Sequence, residues 1–558
     1  MFMFLWKGNI LTAMGSAAKT PVKTENTAAR GLREQYGLPV SGMEDLPPVE
    51  FSYFSRDSGT PASKDNKIIK AIEAITNTKI NFEFLVGDLN QKIGVMIASG
   101  DLPDMVFVGS ETNAFINSGS FIPLENLITE YAPNLRAHYD TFWKRMKASD
   151  GHIYIADIYG TPTGDQIILE NWGPGFWLQK DVLAEGGYVI PKTLDEYFGL
   201  IESYLSNHPT IDGLPTSGYE IMCDGWLAFC IKNPPLFLIG GANDGDVYCD
   251  PATGKAENRF QKEYSKPYYK KLNEEYHKGV IKAETLTQSY DQYLAKIASG
   301  TVLGMHDQMW IFNDAQSVLS KEGRYERTYV PLPITYSGVK DNYLDAPTFT
   351  GNNGVGVTIN CKDPGRLMRY MDYLIREDVQ RFLSWGIKGE NWFYDDKGRM
   401  ERPQDQREKQ RDNTWRVDNL GTQLRNYMPK IQGSLSDGNQ CDIGSQPEEY
   451  YAGLVDYDKE FFGKFGLMYQ AAFLSPPAAR GPYYPVWSMN IEDGSPARIA
   501  EQRVDDTNMK YLPRLVICDA DEFDALWDEY QAALEDCSPQ VWIDEVNRQV
   551  AERMAPAG

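Results

Sequence analysis

The sequence predicts an α/β protein, because short apolar strands alternate with amphipathic helices joined by brief turns. The alternation is clearest in five consecutive segments, the strands 48–54, 80–86 and 105–108 and the helices 65–76 and 88–99. Strand–helix–strand order with short connections requires right-handed crossovers and a mostly parallel sheet.

Each element of this stretch has a local cause. The first two strands alternate apolar with polar side chains, which is typical of a strand with one buried face. The first helix repeats isoleucine at helical spacing behind a cap at Asp65, and the second ends at Gly100. The turn at 101–104 then leads into the third strand.

The α/β pattern continues to the end of the chain. The further segments are a hairpin at 150–163, a strand and helix within 164–183, helices at 192–205, 364–384, 520–535 and 538–553, and a strand at 354–360.

Composition excludes several classes of partner. The chain has 558 residues, which fits roughly two to four domains. It carries 55 Lys+Arg against 78 Asp+Glu, a net charge of −23. This balance argues against nucleic acid and against anionic membrane surfaces. Aromatic residues make up 12% of the chain, including 12 Trp, which suits either a large core or a carbohydrate-binding cleft.

Cysteine and histidine give no metal or catalytic signature. The seven Cys and five His form no zinc spacing, and an odd cysteine count gives no evident disulfide framework. The chain also lacks the nucleotide-binding, metalloprotease and nucleophile-elbow motifs. We therefore expect no cofactor.

The N-terminal 48 residues are predicted to be a flexible tether, rich in Ala, Thr, Gly, Pro, Lys and Glu. Residues 11–16 are similar to a bacterial lipobox with Met14 at the position of the lipidated cysteine; the alternative is a chance match. The first 14 residues are too short to span a membrane.

Several short sequence motifs are similar to motifs of the extracellular solute-binding proteins of ABC importers, and they occur in the same order as in that family. The resemblance is closest to the large Gram-positive, oligosaccharide-binding type that includes alginate-binding proteins. The motifs are KIGVMIASGDLPD at 92–104, FIPL at 121–124 with EYAP at 130–133, DGHIY at 150–154, PKTLDEY at 191–197, GT at 300–301 with HDQMW at 306–310, and WGIKGE at 385–390.

The resemblance implies a two-lobed periplasmic-binding-protein fold with discontinuous lobes and hinge strands. The first lobe is expected to comprise 49–166 and 352–395, and the second 167–351 and 396–558. An oligosaccharide would be captured between them, and the acidic charge of the chain favours a neutral sugar over an anionic one. The closed form would then dock on the permease subunits of an ABC importer. A monomer, lipid-anchored at the cell surface, is expected.

Loops after the strands supply the candidate ligand contacts, because ligands of open α/β sheets bind beyond the carboxyl ends of strands. On the first lobe these are Arg56 and Asp57 after the first strand, and Ser110 and Glu111 after the third. Each could instead be part of a solvated loop.

Tryptophans and neighbouring polar residues are the candidates elsewhere. Trp310 resembles the stacking aromatic of the family's second lobe, with Asp307 beside it as a hydroxyl ligand, and a core position is the alternative. The remaining candidates are Trp172, Trp226, Asn352, Asn353 and Trp392.

No metal is expected. The alginate-binding relatives carry a calcium loop after the helix that corresponds to 192–205, but residues 206–213 supply too few oxygen ligands here. Residues 243–246 with Asp250 look like a calcium loop, but a loop of Gly and Asp is more often a turn, and we predict a turn there. A glycoside hydrolase that uses two carboxylates remains the alternative function, as does a binder of a non-sugar solute on the same fold.

Overall fold

The computed structural model describes residues 27–148, 150–158, 162–163, 167–250, 253–345, 353–477, 486, 489 and 491–554. The lipobox-like segment, Asn352 and residues 1–26 of the expected tether therefore lie outside the described residues. Residues 27–48 are folded, because Thr27–Tyr36 form a helix and Leu38 and Met43 are buried against the first strand and its neighbours. This corrects the expectation of a flexible tether that extends to residue 48. Among the described helices, none is both long enough and apolar enough to cross a membrane.

The strands of the described residues are β1 Val49–Ser55, β2 Thr78–Phe84, β3 Met105–Phe107, β4 Ile155–Asp157, β5 Pro162–Thr163, β6 Pro174–Gln179, β7 Thr210–Ile211, β8 Leu214–Pro215, β9 Ser217–Glu220, β10 Tyr248–Cys249, β11 Ala256–Glu257, β12 Val302–Gln308, β13 Tyr329–Leu332, β14 Gly354–Val357, β15 Phe393–Tyr394, β16 Met400–Glu401 and β17 Gln432–Gly433.

The α-helices of the described residues are α1 Thr27–Tyr36, α2 Lys67–Thr76, α3 Leu89–Ser99, α4 Thr112–Asn117, α5 Glu125–Tyr131, α6 Pro133–His138, α7 Lys180–Glu185, α8 Leu194–Asn207, α9 Phe229–Lys232, α10 Pro234–Leu238, α11 Lys266–His277, α12 Tyr290–Ala298, α13 Met309–Lys321, α14 Pro364–Leu374, α15 Glu377–Trp385, α16 Gln404–Lys409, α17 Asn413–Asn419, α18 Thr422–Tyr427, α19 Pro447–Gly453, α20 Asp456–Lys464, α21 Pro496–Ile517, α22 Phe523–Asp536 and α23 Pro539–Met554. Short 3₁₀ turns connect several of them.

The α/β class is confirmed by two sheets. The first has the strand order β2-β1-β3-β14-β4, in which β1 runs parallel to β2 and β3, while β14 runs antiparallel to both of its neighbours. The second has the order β13-β6-β12-β9, in which β12 is parallel to β9 and antiparallel to β6. In both sheets a strand from late in the chain lies between two earlier strands, β14 between β3 and β4, and β12 between β6 and β9.

The first helix of the predicted alternation begins two residues later than expected. Asn66, not Asp65, caps α2, because its side chain accepts hydrogen bonds from the backbone N–H groups of Ile68 and Ile69. Asp65 instead pairs with Lys70 on the surface. The predicted end of α3 at Gly100 is confirmed, since Gly100 adopts a left-handed φ of 70° there.

Each sheet lies in its own hydrophobic core. The first core gathers apolar side chains from 38–158 and 355–428, and the second gathers those from 176–344 and 461–550. The long C-terminal helices α21 and α23 pack on the second core through residues such as Leu512, Leu515 and Trp542. Two cores built from interleaved stretches of chain define two lobes.

Residues 396–443 join the first lobe, which corrects the expectation that the whole of 396–558 belongs to the second. Leu420, Leu424 and Met428 lie in the first core. The Tyr53 hydroxyl on β1 donates a hydrogen bond to the backbone oxygen of Tyr427 at 2.9 Å. The last connection between the lobes therefore runs after residue 443, about fifty residues beyond its predicted place near 395.

Candidate functional site

One edge of the second sheet carries three exposed tryptophans. The carboxyl ends of β9 and β12 meet at this edge, because the two strands are parallel and adjacent. The amino end of β6 lies there too, since Pro174 pairs with Gln308 at the end of β12. The segments next to these three strand ends contain Trp226, Trp310 and Trp172, and we call this edge the tryptophan edge.

Trp226 and Trp310 form a parallel aromatic pair at the tryptophan edge. Their ring centroids are 5.8 Å apart and their planes differ by 6°. Phe229 lies 6.0 Å from Trp226 and 6.2 Å from Trp310. Trp226 is 70% exposed and Trp310 46% exposed, so much of their apolar surface faces solvent. We call Trp226, Phe229 and Trp310 the indole platform.

The ring of Trp310 is held by its own helix terminus. Trp310 is the second residue of α13, and its Nε1–H donates to the side-chain oxygen of Gln308 at 2.7 Å. Gln308 caps the helix and ends β12. A fixed ring edge with a free ring face is the arrangement that a stacking ligand requires.

Trp172, 48% exposed, lies at the amino end of β6 on the segment that enters the second lobe. Its Nε1–H donates to the carboxylate of Glu170 at 3.2 Å. Burial raises the pKa of Glu170, and hydrogen bonds from Trp172 and Tyr450 oppose that rise. Glu170 is not among the residues predicted from the sequence. Its place two residues before the candidate Trp172 is the only feature of the sequence that points to it.

The opposite lobe presents polar groups at the carboxyl ends of β1 and β3. Arg56 follows β1, its guanidinium lying 5.5 Å from the Phe107 ring and its Nε 3.8 Å from the carboxylate of Asp57. Gly109 follows β3 with φ of 58°, and any Cβ there would collide with the Arg56 guanidinium. Arg56 and Asp57 are both partly exposed, at 34% and 40%.

Glu111 and Asn353 lie at the same edge of the first sheet. Glu111 ends the 3₁₀ turn that follows β3 and is partly exposed. Asn353 directly precedes β14, and its backbone oxygen accepts from the N–H of Ile158 at 2.9 Å. Ser110 lies in the same turn as Glu111, and its side chain is outside the described residues.

The chain connects these two edges directly. The segment after β4 leaves the first sheet beside Asn353 and enters the second sheet at β6. The segment after β13 returns from the tryptophan edge to β14. Both connections start and end at these two edges, so the edges border the junction between the lobes, and we call the space between them the cleft. Residues 164–166 and 346–352 lie outside the described residues, so the lobe boundaries expected after residues 166 and 351 stay predictions.

The crossing into the second lobe is anchored by Gln470. Its side-chain oxygen accepts from the backbone N–H of Asn171 at 2.7 Å, and the neighbouring Ala471 N–H donates to the oxygen of Leu169 at 3.0 Å. The amide nitrogen of Gln470 also lies 3.3 Å from the sulfur of Met309, next to Trp310. One side chain thus contacts both the crossing and the base of the indole platform.

Asp307 and Trp392 do not offer a contact to a ligand, which corrects their assignment. Asp307 is fully buried beneath the platform and bonded to protein donors. Burial raises its pKa to about 6. Trp392 is 4% exposed, packs edge-on against Trp385, and donates its Nε1–H to the oxygen of Gly386.

The tryptophan edge is acidic. The segments 168–179, 221–231 and 307–313, which build it, contain no Lys or Arg, and besides the buried Asp307 they include Glu170 and Asp224. Among the residues that the structure describes, no group of three or more His, Cys, Asp or Glu side chains could hold a metal ion. In the β7–β8 hairpin, the carboxylate of Asp212 is instead paired with Arg324 at 2.7 Å.

Two lobes joined by several crossings around an aromatic-lined cleft define a two-lobed binding protein. The chain belongs to the family of bacterial extracellular solute-binding proteins, whose model matches residues 67–386, more than half of the chain.

Three similar proteins carry descriptive names. The fructooligosaccharide ABC transporter substrate-binding protein FusA of Streptococcus pneumoniae is 26% identical over 52% of this chain, and the match spans only about half, 55%, of that relative. Lipoprotein LipO of Bacillus subtilis is 22% identical over 69% of this chain and 73% of its own length. The polygalacturonan/rhamnogalacturonan-binding protein YtcQ, also of Bacillus subtilis, is 29% identical over 26% of this chain and 28% of its own.

Solved structures share the fold. The S. pneumoniae substrate-binding protein FusA in complex with kestose has a TM-score of 0.61 at 18% identity, covering 91% of this chain and 100% of that one. An HMO-binding solute-binding protein from Bifidobacterium longum infantis has a TM-score of 0.63 at 15% identity, covering 91% and 99%. The alginate-binding protein AlgQ2 without calcium has a TM-score of 0.56 at 18% identity, covering 90% and 98%.

Proposed function

We propose that this protein captures a neutral oligosaccharide in the cleft and delivers it to the permease of an ABC importer. The observation that carries the proposal is the exposed, parallel Trp226–Trp310 pair at the cleft edge. A sugar ring presents an apolar face of C–H groups, which stacks on an aromatic ring, and a fringe of hydroxyls, which needs directional polar partners.

The facing edge of the first lobe supplies the polar partners. Arg56 donates hydrogen bonds from a planar guanidinium, and Asp57 and Glu111 accept hydrogen bonds from sugar hydroxyls, so the two edges offer complementary chemistry. Trp172 and Asn353 extend the contact surface at the two crossings. We propose the same role for Ser110 and Asn352, which are the sequence neighbours of Glu111 and Asn353.

Charge argues for a neutral sugar. Carboxylates of a uronic acid would face Glu170 and Asp224 with no Lys or Arg in the three segments that build the tryptophan edge. Like charges in such surroundings lower affinity. This favours a ligand of the class named for FusA over the polyuronides named for YtcQ.

Binding is proposed to act by capture and not by chemistry. The ligand contacts both lobes only when they close, so it stabilises the closed form by its differential affinity for that form. The closed form then docks on the permease. We propose a monomer at the outer face of the cell membrane, and the similarity to LipO, itself named a lipoprotein, supports this surface location.

Calorimetry tests the proposal with three probes of similar length: kestose, maltotriose and trigalacturonate. We expect micromolar binding of at least one neutral trisaccharide, no measurable binding of trigalacturonate, and no new product by chromatography after prolonged incubation. Preferential binding of trigalacturonate would overturn the charge argument. Release of reducing ends by purified protein would replace capture with hydrolysis.

A further inference from the structure

Asp307 is a buried carboxylate with three donors around it. Its Oδ2 accepts from the Tyr293 hydroxyl at 2.6 Å. Its Oδ1 accepts from the Cys230 thiol at 3.2 Å and from the backbone N–H of Gln308 at 2.7 Å. Its side chain has no contact with solvent, being 0% exposed. It therefore acts within the protein.

The donors to Asp307 lie on the segments that carry the indole platform. Cys230 is the second residue of α9, which continues directly from the 3₁₀ turn Gly225–Ala228 containing Trp226. Gln308 is the cap of α13, and its side chain holds the indole N–H of Trp310. The carboxylate thus joins the start of α9 to the start of α13.

A third element is tied to the same point. Tyr293 comes from α12, and the neighbouring Tyr290 on that helix donates its hydroxyl to the backbone oxygen of Ile311 at 2.7 Å. The Trp177 indole on β6 donates to the backbone oxygen of Asp307 at 2.8 Å. The base of the platform is therefore fixed from α9, α12, α13 and β6 together.

We propose that Asp307 is a positioning residue that holds Trp226 and Trp310 in register as one stacking surface. Removing its hydrogen bonds would let α9 and α13 move apart, and the two rings would lose their parallel alignment. Ligand affinity then falls although Asp307 never touches the ligand. The affinity part of this inference rests on the proposed function, whereas the alignment of the rings does not.

Fluorine NMR of protein labelled with 5-fluorotryptophan tests ring alignment in the absence of ligand. The variants Trp226→Phe and Trp310→Phe assign the two resonances among those of the 12 tryptophans. In Asp307→Asn, which keeps the size of the side chain, we expect these two resonances to shift or broaden while the Trp385 and Trp527 resonances stay in place. Kestose or maltotriose affinity, whichever binds the wild type, is expected to fall about fivefold to tenfold.

Two donor variants keep the test decisive if Asp307→Asn fails to fold. Tyr293→Phe removes one donor, and we expect a smaller change in the same two resonances. Cys230→Ala is expected to disturb them and Cys230→Ser to leave them as in the wild type, because serine keeps the donor.

The outcomes separate this inference from the proposed function. Unmoved Trp226 and Trp310 resonances in the folded variants would overturn the positioning role, whatever the ligand. Moved resonances in a protein whose wild type binds none of the sugars would support the positioning role and count against the proposed function. Moved resonances with unchanged sugar affinity would refute the link between alignment and binding.

Discussion

The indole rings of Trp226 and Trp310 lie parallel at a centroid distance of 5.8 Å, although the two residues come from loops after different strands. A sugar ring cannot enter between them, because two successive stacking contacts need about 7 Å between the outer rings. The pair therefore presents one stepped surface to the cleft. Such a surface suits a chain of sugars better than a single ring.

Replacement of Trp310 by alanine is expected to weaken binding of the neutral oligosaccharide by at least about 1 kcal/mol, in line with exposed aromatic contacts at binding hot spots. The unfolding midpoint should hardly change, because the side chain is 46% exposed. Calorimetry and thermal unfolding on the same preparation measure the two quantities.

Trp310→Phe is the matched control, since it keeps a stacking face and should retain most of the affinity. A double-mutant cycle that combines Trp310→Ala with Trp226→Ala then tests whether the two rings act together. We expect the double variant to lose less than the sum of the single losses, because each ring orients the other. A large loss of stability with unchanged affinity would place Trp310 in the core and contradict the platform.

The α/β fold could be predicted because its signals are local. Alternating apolar residues, the glycine end of α3 and the strand–helix order around β1 to β3 act within a few residues of each other. The choice of Trp226 and Trp310 as candidates also follows from the sequence. Their stacking does not, because the loops after β9 and β12 meet only once the sheet has formed.

Asp307 shows why the rest of the site could not be predicted. It stands three residues before Trp310, and along a strand successive side chains point to opposite faces. Both faces of β12 are covered by other parts of the protein, so His306 and Asp307 are both buried. The strand therefore shows no alternation of polar and apolar residues from which the burial of Asp307 could be predicted. Likewise, residues 396–443 carry no local signal that assigns them to the first lobe.

Gly421→Ala tests that assignment. A Cβ at Gly421 would lie 2.6 Å from the Leu383 Cα, so the close approach of α18 to α15 would be lost. We expect a loss of about 1–3 kcal/mol in the free energy of unfolding, measured with urea. Gly463→Ala in α20 is the control, because no atom lies within 4 Å of its Cβ position. Equal effects of the two variants would contradict the packing of α18.

The carboxylate of Glu449 is expected to stabilise the last connection between the lobes. It is 1% exposed and pairs with Arg402 at 2.7 Å and Arg407 at 2.8 Å. Glu449→Ala removes the carboxylate that both largely buried guanidinium groups share, and leaves Arg402 with Gln410 and Arg407 with a more distant Glu401. We therefore expect a loss of about 3 kcal/mol in urea unfolding. The control is Glu390, which forms an exposed ion pair with Lys67. Glu390→Ala should lower the free energy of unfolding by less than about 1 kcal/mol. Similar losses would show that burial at Glu449 is unimportant.

His306 is expected to make stability fall in acid. Its ring lies between Phe176 and Phe237, with centroids 4.8 and 5.5 Å away, and neither ring nitrogen forms a hydrogen bond among the described residues. Burial lowers the pKa of His306 from 6.5 to about 3. Between these two values the unfolded chain binds a proton that the folded protein does not, so stability is full above pH 6.5 and declines as the pH falls.

His306→Leu isolates this effect. The difference in unfolding free energy between variant and wild type should be constant above about pH 7 and should grow in favour of the variant by about 1.4 kcal/mol per pH unit below 6. His138, whose pKa burial lowers to about 4, contributes with the same sign, and Asp307, whose pKa burial raises to about 6, contributes with the opposite sign. Both remain in the variant and cancel in the difference. Parallel stability curves for the two proteins from pH 7 to pH 4 would show that His306 is protonated in the folded state and is not sealed in the core.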